Sequence, residues 1–280
     1  MRKLMAILLL SSLFLSVMVV PALAAKSYDL VLVHGLTNKH HWSDDFLRVC
    51  LNNWGSGNVY CVYNNSSNDV WTKIIDGKTV YCIGRNDYSA GDGYVSEQTA
   101  LMYDKVQILQ QSWGLSPQFD IIAHSMGGLV ARYYIYQHPN TVAGLVTLGT
   151  PHHGSPLSRD YDWISAFIGA CHAMDNLRPE WCESFNAQYP ISGSPMYNSG
   201  KIYTIRGDSD GMLWEQGSMG ELYLGWWHMT TLYWTDSDGL VPRNSALITG
   251  ATHIGDFWDY DHLALVTKPS VAEKAAQYLP

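Results

Sequence analysis

One stretch constrains the fold of this chain more than any other: Phe119-Asp120-Ile121-Ile122-Ala123-His124-Ser125-Met126-Gly127-Gly128-Leu129-Val130-Ala131-Arg132. Ile121 and Ile122 belong to a short β-branched apolar run of the kind that forms a buried strand. Leu129, Val130, Tyr133 and Tyr134 recur instead at the i, i+3, i+4 spacing of a helix face. The chain therefore passes from strand to helix through Ser125. The small residues two before and two after it, Ala123 and Gly127, suit such a turn, because strand and helix backbones come too close there for larger side chains.

A turn of this shape is a nucleophile elbow, with Ala in place of the usual first Gly. It lifts the serine hydroxyl clear of the sheet and points a helix N-terminus at it. It also offers the Met126 N–H to a developing negative charge. A serine that merely caps a helix is common, so the short motif needs support from elsewhere: a base, an acid and a second N–H donor.

The neighbouring segments fit a parallel sheet. Asp29 to Leu36 is a continuous apolar strand ending in His34-Gly35, and the loop leaving its carboxyl end makes the Leu36 N–H the candidate second donor. His34 itself is a weak candidate for the base, since an elbow fold places its base late in the chain. Trp42 to Asn52 has helical character and Val59 to Tyr63 reads as a strand, whereas 64–95 is rich in Asn, Ser, Gly and Asp and gives no clear pattern. Ser96 is expected to cap a helix that Gly114 closes, His138-Pro139 to end the helix after the elbow, and Val142 to Leu148 to form the next strand. The order is βαβ, so the expected class is α/β, a mostly parallel central sheet with helices on both faces. Asp120, at the start of its strand, is read as structural.

Export is expected from the N-terminus. Arg2 and Lys3 precede an uncharged run from Leu4 to Val20, and Pro21-Ala22-Leu23-Ala24-Ala25 suits cleavage after Ala24, making 1–24 a signal peptide. A retained membrane anchor is the rival reading, disfavoured by the small-residue cleavage site. Cleavage takes the formal net charge from −8 to −10, and an acidic chain with no basic cluster argues against nucleic acid or an anionic membrane as partner. Residues 25–280 are expected to form one domain, a monomer, secreted or periplasmic. An exported chain can keep disulfides among its five cysteines. Proximity suggests Cys171 with Cys182, and one pair among Cys50, Cys61 and Cys82. His40-His41 and His152-His153 have no metal-ligand spacing and are expected in loops.

Beyond Leu148 the chain reads Gly149-Thr150-Pro151-His152-His153-Gly154-Ser155. Together with Val33-His34-Gly35-Leu36 and Ala123-His124-Ser125-Met126-Gly127-Gly128, this resembles the secreted bacterial triacylglycerol lipases of the Pseudomonas and Burkholderia type, in the α/β-hydrolase superfamily. Asn176-Leu177 and Phe185 to Pro190 resemble a segment after that family's lid. Ser237-Asp238-Gly239-Leu240-Val241 resembles its acid motif and Asp261-His262-Leu263 its histidine motif. The likeness runs in order from about residue 29 to 268, apart from 64–95.

What the resemblance implies is a Ser125-His262-Asp238 triad with Leu36 and Met126 as oxyanion donors, acting on ester bonds of lipids. The acid has a competitor in Asp236, after an apparent strand at Thr231 to Trp234, and the motif favours Asp238. His253 and His228 compete for the base. The chain order serine, acid, histidine favours His262, which precedes a last helix with an expected Ser270–Glu273 capping box. An insertion at about 156–200 is expected to hold a lid, with Trp163, Ile164, Phe167 and Ile168 on one helix face, through which a lipid–water interface would be met. The same pattern also fits a core helix. Trp226 and Trp227 line an acyl pocket or are core.

Two departures from the family stand out. Its calcium-ligand positions fall on Ala264 and Lys268, so no cofactor is expected, and its usual disulfide half falls on Asn244. A carboxylesterase, phospholipase A or polyester hydrolase would share the triad, and a non-catalytic exported binding protein is the remaining reading.

Overall fold

The computed structural model of the protein describes residues 26–36, 42–160, 171–209 and 222–280. The expected signal peptide and the helix face of Trp163 to Ile168 lie outside these residues.

Eight strands form one sheet: β1 Asp29–Val33, β2 Val59–Val62, β3 Val70–Ile75, β4 Lys78–Ile83, β5 Phe119–His124, β6 Val142–Leu148, β7 Lys201–Asp208 and β8 Thr252–Trp258. Their spatial order is β3-β4-β2-β1-β5-β6-β7-β8, and every neighbouring pair is parallel except β3 with β4. The central strands β1, β5 and β6 are buried along their whole length, which is why they read as unbroken apolar runs rather than alternating ones.

From β1 the chain works outward to β2 and β4 on one side; from β5 it works outward to β6, β7 and β8 on the other. The strand order thus reverses between β1 and β5, whose residues pair from Asp29 with Phe119 to Val33 with Ala123. A crevice opens at the carboxyl ends of such a switch point. Those two ends carry Gly35 and Ser125.

Helices cover both faces. α1 (Asp44–Trp54), α8 (Ala264–Thr267) and α9 (Pro269–Ala276) lie on one. α2 (Val95–Ser112), α3 (Gly127–Gln137) and α6 (Pro179–Gln188) lie on the other. The remaining described α-helices are α4 (Leu157–Asp160), α5 (Cys171–Asp175) and α7 (Tyr223–Leu232), with one short 3-10 turn at Tyr197–Ser199. α1 starts where Ser43 Oγ accepts the Phe46 N–H at 3.1 Å, an N-cap that fixes the register of Phe46, Leu47, Cys50 and Leu51 against the sheet.

Several local expectations are corrected. The segment without pattern, 64–95, contains the β3–β4 hairpin, turning at Asp76 (φ 51°) and Gly77 (φ 76°). Asp-Gly is the dipeptide such a two-residue turn demands. Ser96 lies inside the first turn of α2, and Tyr94 is the N-cap, its N–H held by Glu97 Oε2 at 3.0 Å. The last helix has Lys268 as its N-cap and Pro269 as its first residue, rather than starting from Ser270, because proline supplies the helical φ there without a lost donor. Thr231 and Leu232 end helix α7 and are not a strand.

The cysteines also differ from expectation. Cys61 and Cys82 are register partners on β2 and β4, yet Cys50, Cys61 and Cys82 are all buried free thiols, so the expected pair among them is not formed. Burial pushes the Cys50 thiol up, and such cysteines fill space as small apolar groups. Cys182 is likewise free and buried, its Sγ near the carbonyls of Pro151 and Asn176. The side chain of its expected partner, Cys171, lies outside the described residues.

Candidate active site

Ser125 has φ 54°, a left-handed conformation that costs a non-glycine residue about 1–2 kcal/mol. The packing that enforces it is visible in the glycines around it. A Cβ on Gly127 would stand 2.2 Å from His34 O, one on Gly128 2.0 Å from Thr150 Oγ1, and one on Gly35 2.5 Å from Ser125 Cβ. The elbow therefore works by letting helix α3 enter directly between the ends of β1 and β6. Ser125 N–H donates to Leu148 O at 2.9 Å, tying the turn to the end of β6. Ser125 is 8% exposed.

Asp238 and His262 meet at the same edge. His262 Nδ1 lies 2.7 Å from Asp238 Oδ2, and both side chains are buried. The other carboxylate oxygen, Oδ1, accepts the N–H groups of Leu240 (3.1 Å) and Val241 (2.8 Å), while His262 N–H donates to Asp238 O at 2.8 Å. With Oδ1 already accepting two backbone donors, Oδ2 is left to accept from the ring. Nδ1 therefore carries the proton and Nε2 is left as the acceptor.

The elbow and the acid–histidine pair are joined through their neighbours. His124, just before the serine, has Nε2 3.0 Å from His262 O. Gly149, just after the Leu148 carbonyl that holds Ser125, has φ 55°, and a Cβ there would lie 2.9 Å from Asp238 Oδ2 and 3.2 Å from His262 Nδ1. The serine turn is thus linked to His262 directly through His124 and, by way of Leu148, through Gly149.

The rival residues are occupied elsewhere. Asp236 is exposed and faces Arg243 at 3.9 Å. His253 sits on the edge strand β8, between Thr204 Oγ1 (3.1 Å) and Asp256 (3.2 Å). His228 is held by Asp160 at 2.9 Å.

His34 is a brace. Its Nδ1 lies 2.6 Å from Gly35 O and its Nε2 accepts the Asn64 N–H at 2.8 Å. Full burial lowers its pKa to about 4, so the neutral ring holds the Gly35-Leu36 loop in place. Gly91 (φ 84°) closes on the same loop, where a Cβ would come within 2.4 Å of Gly35 O. Neither Asn64 nor Gly91 was visible from sequence, because 64–95 offers no hydrophobic period.

His152 lies in the turn after β6, as expected, but is fully buried. Its Nδ1 accepts from Arg132 Nη1 at 3.2 Å and its Nε2 lies 3.2 Å from Thr147 Oγ1. Arg132 also reaches Asn186 Oδ1 (2.9 Å) and Tyr189 O (2.8 Å), and its guanidinium stacks 4.9 Å over Phe185. This network clamps α6 onto the elbow helix. Burial lowers the arginine to about 10.

The two positions where the resemblance would place calcium ligands hold Ala264 and Lys268. Ala264 presents a fully buried methyl, its N–H held by Asp261 Oδ1 at 3.0 Å, and Lys268 brings an ammonium group. Neither supplies an oxygen from its side chain. Among the described residues no cluster of three or more His, Cys, Asp or Glu is arranged to hold a metal.

This sheet, elbow and strand order are those of the α/β-hydrolase fold. Residues 84–186 match the family described as PGAP1-like alpha/beta domain, a span that includes Ser125 and the Gly149–Ser155 motif but ends before Asp238. The chain is 30% identical over 132 residues to triacylglycerol lipases of Pseudarthrobacter phenanthrenivorans and Burkholderia plantarii. The match covers 47% of this chain and only 35% and 32% of those relatives, about a third of their length. A Bacillus licheniformis lipase in its mature form superposes with a TM-score of 0.61 at 21% identity, over 90% of this chain and 91% of that one.

Proposed function

We propose that the protein hydrolyses carboxylic esters of lipids through Ser125, His262 and Asp238, by way of an acyl-enzyme. The observation that carries this reading is the buried His262–Asp238 pair at 2.7 Å, joined through His124 and Gly149 to a serine held at φ 54°. The similarity to lipases agrees with it.

In the reaction, His262 Nε2 takes the Ser125 hydroxyl proton as Oγ bonds to the ester carbonyl carbon. The carbonyl oxygen becomes an oxyanion, received by the N–H groups of Leu36 and Met126. Losing one such donor costs about 10²–10³ in rate. The tetrahedral centre then breaks its bond to the alcohol oxygen, which leaves with the proton from His262. Water, deprotonated by the same ring, attacks the acyl-enzyme and releases the acid, and the serine regains its proton. Asp238 keeps Nδ1 protonated and stabilises the charged ring throughout.

The buried placement of the pair favours ester chemistry over simple binding, since taking a carboxylate and its imidazole partner out of water carries a desolvation cost that a binding protein has no need to meet. Export follows from the N-terminal pattern, with the substrate outside the cytoplasm. The test is hydrolysis of p-nitrophenyl esters from acetate to palmitate and of emulsified triolein, with fluorophosphonate labelling followed by mass spectrometry. Labelling at Ser125 and its loss in Ser125→Ala are expected. Undiminished ester hydrolysis by Ser125→Ala would overturn the assignment, and turnover confined to short soluble esters would make it a carboxylesterase.

A further inference from the structure

Helix α7 and the turn after it form a face unlike the rest of the surface. From Leu222 to Trp234 there is no Asp, Glu, Lys or Arg. Leu224 is 69% exposed, Trp227 48%, Leu232 60% and Trp234 90%, with Tyr223 and Tyr233 also exposed. The inward side is occupied by Gly225, His228 and Met229, at i, i+3, i+4, and His228 is anchored to Asp160 at 2.9 Å. The helix is therefore already docked on the body of the protein by its other side, and what it leaves outward is apolar and aromatic. Even the outward Thr231 directs its hydroxyl back to Trp227 O at 2.7 Å.

Contiguous exposed apolar surface of this kind marks an interaction site, and its chemistry selects the partner. Trp and Tyr join a large apolar ring to one polar atom, which suits them to the boundary between water and hydrocarbon. The face carries no charge to match an anionic surface, and the chain is acidic, at −8, which disfavours one. The position is informative as well. A Cβ on Gly225 would lie 2.0 Å from Gly239 O, and one on Gly239 2.8 Å from Leu222 Cβ, so α7 rests directly on the turn that carries Asp238. A surface that touches α7 thus lies beside the candidate active site.

We propose that Tyr223–Trp234 is a docking surface for the boundary of a neutral or zwitterionic lipid phase, which brings ester groups of that phase to the Ser125 site. This rests on the ester-hydrolase reading for its purpose, and it assigns the lipid contact to α7, separately from the expected lid helix at 163–168. Leu224, Trp227 and Trp234 enter the boundary, and the charged remainder of the protein stays in water.

The test uses the mature chain bearing Ser125→Ala, floated with phosphatidylcholine vesicles and with a triolein emulsion. Co-flotation is expected, falling at least about tenfold when Leu224→Ser, Trp227→Ser and Trp234→Ser are combined, as the loss of several large boundary side chains predicts. Trp234→Ser alone, at a site 90% exposed, guards against misfolding and is expected to weaken flotation in the same direction. In the Ser125-intact background, p-nitrophenyl acetate hydrolysis by Trp234→Ser is expected to match the parent. A parent that cleaves this soluble ester through Ser125 but stays in the aqueous fraction overturns the docking surface and leaves the ester chemistry standing. Flotation without any Ser125-dependent hydrolysis overturns the chemistry alone. A parent dimer by light scattering that the triple substitution dissociates, with no flotation, shows the face to be covered by a second copy and overturns the proposal.

Discussion

His262 Nδ1 lies 2.7 Å from Asp238 Oδ2 in a pocket where both side chains are buried, while Asp236, two residues earlier in the chain, points outward to Arg243. The separation of two acids so close in sequence follows from the turn between them. Ser237 and Pro242 form an isolated bridge, and inside it Asp238 Oδ1 is fixed by the Leu240 and Val241 N–H groups.

The two carboxylates therefore give opposite mutational outcomes. Asp238→Asn presents an amide that no longer fixes the Nδ1–H tautomer, and kcat is expected to fall by about 10⁴, the loss typical of this change in other triads. Asp236→Asn alters an exposed, screened contact and should leave kcat/KM for p-nitrophenyl butyrate within about twofold. A larger loss at Asp236 than at Asp238 would reverse the assignment of the acid.

Strain at Ser125 predicts a trade between activity and stability. At φ 54° glycine is at ease and alanine is not. Ser125→Gly should therefore unfold at a higher urea concentration than Ser125→Ala, by roughly 1 kcal/mol, the reverse of their usual order. Both should be inactive. Equal midpoints would mean that the surrounding glycines, not the residue itself, absorb the strain of the turn.

The legibility of the fold and site divides along physical lines. Buried strands such as Val142–Leu148 stood out because both faces meet apolar layers, and Ser125 stood out because its turn requires small neighbours. The β3–β4 hairpin was missed although Asp76-Gly77 is a strong turn signal, since β3 alternates in burial and carries Lys73 and Thr72 on a sheet edge. The braces around the site were hidden for another reason. His34, His124 and His152 all have pKa values lowered by burial, and a histidine on a page of sequence does not disclose whether it titrates. Thr231–Trp234 looked like a strand because aromatic and β-branched residues prefer strands in general; here those side chains face outward at a helix end, where no sheet packing selects them.

Asp120 gives the stability a pH dependence. It lies fully buried at the start of β5, next to Gly144, where desolvation raises its carboxyl to about 8 against the opposing pull of Lys26 and a contact with Trp54. A carboxyl with a raised folded-state pKa binds its proton more tightly folded than unfolded. Its contribution is thus fully present below about pH 4, the ordinary Asp range, and is lost as pH rises towards 8. Urea midpoints of Asp120→Asn, compared with the parent from pH 5 to 9, should show the variant gaining relative stability as pH rises. Parallel profiles would show that Asp120 is ionised at neutral pH in the fold.

Arg132 supplies the last case, because it acts on the elbow helix without facing the serine. Its guanidinium serves three acceptors on two other segments: the His152 ring, the Asn186 side-chain oxygen and the Tyr189 carbonyl. The planar fork reaches His152 and Asn186 through one nitrogen and Tyr189 through the other, while its face covers Phe185. A lysine ammonium has neither the fork nor the flat face. Arg132→Lys keeps the charge but leaves it buried with fewer partners, so it is expected to cost roughly 3 kcal/mol. Arg132→Met removes the charge, keeps apolar contact with Phe185 and should be the less damaging change, the reverse of a ranking by charge conservation. Denaturant titrations of the two variants decide it, and a more stable Arg132→Lys would show that charge, rather than the directed hydrogen bonds, holds α6 to α3.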